Sequence, residues 1–363
     1  MRTPERHTQA ILDKVKQAIE STYAVIEGRK HTLHIGSISF GPVPDSDNYT
    51  EQHNIIAKGD SVGVDFYADV QLLDNANKKV LDSKNHMRLG KLPIVTNRHS
   101  FIIKGKEYIV HNQVRLRPAI YTKFDRNDNA VADLNLAKGS NMSIMYVPHK
   151  KQFELEVNSN HVPLYTLLKD VYNVPDHTLS NNLGSDIHNA EMAKHVLDKG
   201  KNLPKLFNAI HKNYSNIVMP STNHEIAQQI RTVLDRTVME PEVNEMTLGK
   251  PYNKVTPEAL MHTASEVMNV YKGKTDPTWK DNLAFKKVMG TEDFLFEKFT
   301  KRGPLMKATM KPKIDANNTI KGLMLPYYFA GLLDEFFVHS DLVNYPLQVN
   351  PMKCLRMPIR LQP

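Results

Sequence analysis

The run from Gly90 to Gln113 constrains this chain more than any other stretch. It reads Gly-Lys-Leu-Pro-Ile-Val-Thr-Asn-Arg-His-Ser-Phe-Ile-Ile-Lys-Gly-Lys-Glu-Tyr-Ile-Val-His-Asn-Gln. Phe101, Ile102 and Ile103 make a short apolar strand. Lys104-Gly105-Lys106-Glu107 is a tight turn, with Gly105 at the point that takes a positive φ. Tyr108, Ile109 and Val110 then begin a return strand. The segment predicts a β-hairpin.

A chain of 363 residues has room for two or three domains, each with a core. With 40% hydrophobic and 24% charged residues it reads as an ordinary soluble globular chain rather than a disordered or fibrous one. No run approaches the ~18 apolar residues that a membrane span needs. Met1–His7 leads into a polar helix without the apolar region of a signal peptide. The single cysteine, Cys354, cannot form an internal disulfide, which fits a reducing compartment. A net charge of +8 favours an anionic partner such as nucleic acid.

Residues 8–27 show helical spacing of Ile11, Val15, Ala18, Ile19 and Tyr23, with Gly28 as a stop. Residues 32–110 read as strand-rich, with strands over Thr32–Phe40 and Phe66–Leu73 and a turn, 74–77, into Lys79–Leu81. Residues 125–141, rich in Asn, Asp, Gly and Ser, predict a loop or boundary. Strands resume over 142–157, and 161–300 is mainly helical. The best-marked helix covers about 257–272, with Thr256 as N-cap, Pro257 at its first position and Gly273 beyond its end. Lys311–Lys321 reads as a polar separator before a last helix, Leu325–Phe337. The proline-bearing stretch 338–363 reads as extended loop.

Local chemical signatures are scarce. Gly273-Lys274-Thr275 resembles the end of a phosphate-binding loop, but the earlier glycine is replaced by Met268, so a helix stop is the better reading. Asp125-x-Asn127-x-Asn129 lacks the glycine and the bidentate carboxylate of a calcium loop, because Ala130 and Leu136 stand there. The sequence has no His-Glu-x-x-His, no zinc-type spacing and no local signature of an activated nucleophile.

The hairpin segment resembles the β subunit of multi-subunit DNA-dependent RNA polymerases. Gly90, Pro93, Thr96, Phe101, Ile102, Ile103, Gly105, Glu107 and Gln113 fall on that family's pattern without a gap, while His99, Lys104 and Tyr108 depart from it. Three further blocks follow in the family's order. Pro163, Leu167, Leu168 and Lys169 match the opening of the lobe. Asp281, Leu283, Lys287 and Val288 match a later segment. Phe336, Phe337, Ser340, Leu342, Gln348, Asn350 and Pro351 match the start of the fork, and the register continues to Arg360-Leu361.

This resemblance implies a multi-domain α+β chain. Its parts would be a β-rich protrusion (1–118), a mainly helical lobe (119–302), the return of the protrusion (303–337) and the start of the fork (338–363). It implies the N-terminal half of a split β subunit, compact as in giant bacteriophages, forming one wall of the DNA cleft. Gln113, Arg115, Arg117 and Arg360 would contact nucleic acid. Asp341, Asn344 and Tyr345 would line the cavity behind the active centre, and Phe336 and Phe337 would pack in the core. No catalytic or metal-binding residue falls on this chain. The Mg²⁺ of nucleotidyl transfer is expected on a partner subunit, so the chain alone is expected to be inactive. The implied partners are the C-terminal β half, the β′ subunits, template DNA and RNA, with no membrane. The implied location is the cytoplasm of a bacterial host, or a virion. The alternative is a non-transcribing structural or virion protein that binds nucleic acid on a polymerase-derived fold.

Overall fold

The computed structural model describes residues 3–44, 48–137, 139–198, 200–211 and 219–346, and the backbone of the strand Ile359–Leu361. The fold is α+β. Contacts divide the chain into two units, Met1–Arg115 with Val288–Pro363, and Leu116–Lys287.

In the first unit, Thr3 caps the helix Pro4–Tyr23, whose buried face carries Ile11, Leu12, Val15, Ala18, Ile19 and Tyr23. The helix ends short of Gly28, because Val25–Glu27 is drawn into an antiparallel pair with His31–Ile35. The carboxylate of Asp315 accepts from the backbone N–H groups of Arg29, Lys30 and His31 and so holds this turn. The expected single strand over Thr32–Phe40 is two, His31–Ile35 and Ser39–Phe40. Both pair with Gly63–Asp74, which also pairs with the long strand Val80–Pro93. Along Gly63–Asp74 burial alternates, as one covered sheet face requires.

The largest departure from the sequence reading lies in the helix Thr291–Ala316, which continues through Lys311–Ala316 instead of giving way to a separator. Phe299, Met306, Met310 and Ile314 are buried along one stripe, and this helix packs on the first one. Pro304 and Pro312 lie on its exposed side. A boundary at 303 would cut the helix; the chain returns to this unit at Val288. The helix Leu325–Phe337 packs on Val80–Pro93 and buries Phe329, Phe336 and Phe337, the last two as core residues.

The second unit holds an antiparallel five-stranded sheet in the order Asn160–Pro163, Gln152–Val157, Met142–Val147, Ala130–Leu134, Ile120–Phe124. The expected loop over 125–141 thus contains a strand, Ala130–Leu134, whose Ala130, Val131, Ala132 and Leu134 are buried. Residues 125–129 form a turn, braced by the Asp125 carboxylate, which accepts from the N–H groups of Asn127 and Asn129 at 2.8 Å each, and 135–137 and 139–141 also lie outside strands, as expected. The helix Pro257–Tyr271 packs on three of these strands and starts at the Thr256 cap. It stops at Gly273, whose φ is +66°. Among the described residues no helix is long and apolar enough to cross a membrane.

Candidate nucleic-acid interface

The hairpin forms as Phe101–Ile103 pairs with Lys106–Val110, so the return strand begins two residues earlier than the sequence indicated. Its loop is only Lys104 and Gly105, with φ of +50° and +72°. Left-handed conformation at both positions matches a type I′ turn, which suits the twist of the flanking strands. A side chain at Gly105 would also collide: its Cβ would lie 2.9 Å from both the Gly59 Cα and the Ile56 carbonyl oxygen. Gly90 is held by packing, since a Cβ there would meet the Phe66 ring at 2.8 Å. Phe101, Ile102 and Ile103 are buried. Arg98 donates to Glu107 at 2.8 Å, Ser100 donates to the same carboxylate oxygen, and Ser100 and Thr96 share a 2.7 Å hydrogen bond. Thr96 and Glu107, two of the pattern residues, therefore brace the hairpin from inside.

Gln113 is buried in the next strand, Asn112–Leu116. Its Oε1 accepts from Nε and Nη2 of Arg115, both at 3.1 Å. Arg115 Nη1 donates to both oxygens of Glu297 at 2.9 Å, and the guanidinium lies over the Phe294 ring, 5.3 Å from its centroid. Lys301 adds a contact to Glu297 at 3.1 Å. Burial works against the charge on Glu297. The Arg115 hydrogen bonds and the Lys301 charge outweigh it and hold the carboxyl below its ordinary value.

Arg117 belongs to the second unit and has other partners. Its Nε donates to Glu240 at 2.6 Å, Nη2 lies 3.6 Å from Glu242, and Nη1 donates to the Ala284 carbonyl at 3.3 Å. Arg115 and Arg117 thus both face carboxylates of their own chain. Sequence reasoning missed these acids, because nothing local links Arg115 to a glutamate 182 residues on, or Arg117 to one 123 residues on.

The backbone of Ile359–Leu361 pairs in parallel with Asn112–Leu116 and sets Arg360 opposite Gln113. Val343–Asn344 pairs with the hairpin's return strand. Asn344 is hydrogen-bonded to His111 at 2.7 Å, and Tyr345 stacks on Tyr108 with centroids 5.2 Å apart. Burial, then the neighbouring Tyr345 hydroxyl, pushes Tyr108 above its ordinary value. Asp341 and Arg115 line one open hollow of about 470 Å³. The hollow's cations, Arg115, Lys298, Lys301 and Arg302, are paired with Glu297 and Glu335. Lys298 pairs with Glu335 at 2.7 Å, and Arg302 contacts the same oxygen. A ligand here must meet ion pairs rather than bare charge. Among the described residues, no group of three or more His, Cys, Asp or Glu could hold a metal ion.

Arg115→Ala tests the pair. About a third of each side chain meets solvent (32% for Arg115, 29% for Glu297), so screening keeps the expected loss near 1 kcal/mol at pH 7. Glu297 has a depressed carboxyl, so this contribution is present above its unfolded value and lost as pH falls through the folded one. Denaturation of wild type and variant should therefore converge at acid pH. An equal difference at both pH values would assign the effect to packing on Phe294 instead.

No family model matches the chain. It is 26% identical over 148 residues to the DNA-directed RNA polymerase subunit beta of Staurastrum punctulatum, covering 38% of this chain and 14% of that one. It is 29% identical over 99 residues to the subunit of the same name in Gracilaria tenuistipitata var. liui, covering 26% and 9%. A 58-residue match to that of Porphyra purpurea reaches 41%, covering 15% and 5%. The matched lengths are small fractions of these relatives. Over part of its length the chain is similar to RNA polymerase β subunits.

Proposed function

We propose that this chain is a component of a DNA-directed RNA polymerase and the N-terminal part of a split β subunit, of the compact form found in giant bacteriophages. The observation that carries the reading is the ordered series of β-like blocks from Gly90 to Leu361, together with partial similarity to chains named as β subunits. The first unit would serve as protrusion, the second as lobe, and the segment from 338 as the start of the fork. Together they would form one wall of the DNA cleft. Gln113, Arg115, Arg117 and Arg360 would hold phosphates rather than read bases, with Arg115 and Arg117 exchanging their carboxylate partners for phosphate. Asp341, Asn344 and Tyr345 would line the neighbouring cavity. The C-terminal β half and β′ subunits would complete the enzyme and carry its Mg²⁺.

Purification of the tagged chain from the cell or virus that encodes it tests this. The chains carrying the remainder of β and β′ are expected to come with it, and the assembly to make RNA on a DNA template, while the chain alone makes none. Recovery in a particle without those chains and without synthesis would favour the structural, nucleic-acid-binding alternative. Synthesis by the chain alone would overturn the assignment of catalysis to partners.

A further inference from the structure

A cavity of about 450 Å³ in the second unit takes no part in the proposed polymerase contacts. It is lined from the strand Gln152–Val157, from Tyr165 and Thr166, and from the helix Ser185–Asp198. Two side chains there are buried with an orphaned oxygen. Glu191 is 2% exposed; its Oε1 accepts from the Phe153 N–H at 2.7 Å, and its Oε2 has no partner. Thr166 is 1% exposed, and its hydroxyl has no partner either. Leaving such groups unpaired away from water is costly.

The charged neighbours are otherwise engaged. Lys150 pairs with Glu154 at 2.8 Å. Lys194 donates to the Lys150 carbonyl and, at 3.4 Å, to Gln152 Oε1. His195 pairs with Asp170 at 2.9 Å, and Asn202 donates to Asp198. The exception is His188, one turn before Glu191: its Nε2 lies 3.8 Å from Asp176, too far for a hydrogen bond, and has no other hydrogen-bond partner. Among the described residues no cation forms an ion pair with Glu191.

We propose that this cavity binds a primary alkylammonium group, its methylene stem along Tyr165 and Leu197 and its head held by Glu191 and Thr166. A guanidinium binds a carboxylate best through two parallel bonds to its two oxygens, and one Glu191 oxygen already accepts from the Phe153 N–H, so the open Oε2 suits a single-point donor better. An ammonium carries three donors and no acceptor. Glu191 Oε2, Thr166 Oγ1 and the weakly held Gln152 Oε1 supply three acceptors on the same cavity. The amine is either a free polyamine or the lysine side chain of another protein. Binding requires ionised Glu191, and burial pushes that carboxyl up to about 7. Affinity is therefore level above pH 7 and falls about tenfold per pH unit below it.

The test is an NMR pH titration of the full chain with ¹³C-labelled glutamate, with and without n-butylammonium chloride. The Glu191 midpoint should fall when the amine is added, with dissociation constants in about the millimolar range. Glu191→Gln, which keeps an acceptor for the Phe153 N–H, should abolish binding, and Thr166→Val should weaken it. n-Butylguanidinium should bind less well. A Glu191 midpoint unmoved by n-butylammonium would mean that the cavity holds water alone, and equal binding of the guanidinium would overturn the choice of ammonium. Nα-acetyl-lysine N-methylamide and spermidine separate the sources. Binding of the lysine amide as tightly as n-butylammonium points to a protein lysine, and binding confined to the slim amines points to a free polyamine.

Discussion

Phe329→Ala is expected to cost the first unit about 3–5 kcal/mol, the range for removing a fully buried phenyl ring. Phe329 is the aromatic hub of that core. Its ring meets Tyr23 edge-on at 5.5 Å and Phe66 edge-on at 5.9 Å, and stacks with Phe299 at 6.1 Å. Tyr23 cannot move in to fill the space, because its hydroxyl donates to the Phe299 carbonyl at 2.7 Å. Burial raises that phenol well above its ordinary value, so it stays a neutral donor. Native-state hydrogen exchange on amides of Pro4–Tyr23 and Leu325–Phe337 reads the loss directly. A change below about 1 kcal/mol would mean that the core collapses around the gap and that the ring is not the keystone described.

The second large effect depends on pH. Glu191→Gln should leave stability almost unchanged at pH 4 and raise it by roughly 3 kcal/mol at pH 8. Burial lifts the Glu191 carboxyl from an ordinary 4.5 to about 7, against the opposing Phe153 N–H and Lys194 charge. Between those values the folded chain keeps a proton that the unfolded chain has released. Stability contributed at this position therefore declines as pH rises through the window, and levels off above 7. Glutamine carries no titrating group and removes the decline. Unfolding of the second unit, followed by exchange of its sheet amides at both pH values, checks the sign. A variant that differs from wild type by the same amount at pH 4 and pH 8 would show that Glu191 does not titrate in this range.

Local chemistry made several elements legible from the sequence. The hairpin could be read because its two strands and its two-residue loop are neighbours in the chain, and Gly105 marks the turn. The helix Pro257–Tyr271 could be read because its cap and its stop lie at its own ends. Fork-like Phe336 and Phe337 were legible as core because they close an apolar helix face. The strand Ala130–Leu134 was not, because its polar flanks dominate the composition of 125–141 and only pairing with both neighbouring strands makes it a strand. The tail of Thr291–Ala316 was hidden in the same way: Lys311, Pro312 and Lys313 read as a break, while Met306, Met310 and Ile314 hold the turn sequence together from the buried side.

The candidate site divides along the same line. The sequence by itself determined which residue types stand at Gln113, Arg115, Arg117, Asp341, Asn344, Tyr345 and Arg360, and the order of the β-like blocks that nominated them. Only the tertiary structure decided that Arg115 faces Glu297, that Arg117 faces Glu240, and that Glu191 is buried with one oxygen unpaired. An arginine's charge is written in the chain, but its effect depends on which carboxylate lies within about 4 Å. A carboxylate's affinity for its proton depends on how much water the fold leaves beside it. Both are distances between residues far apart in sequence, and they exist only once the chain has folded.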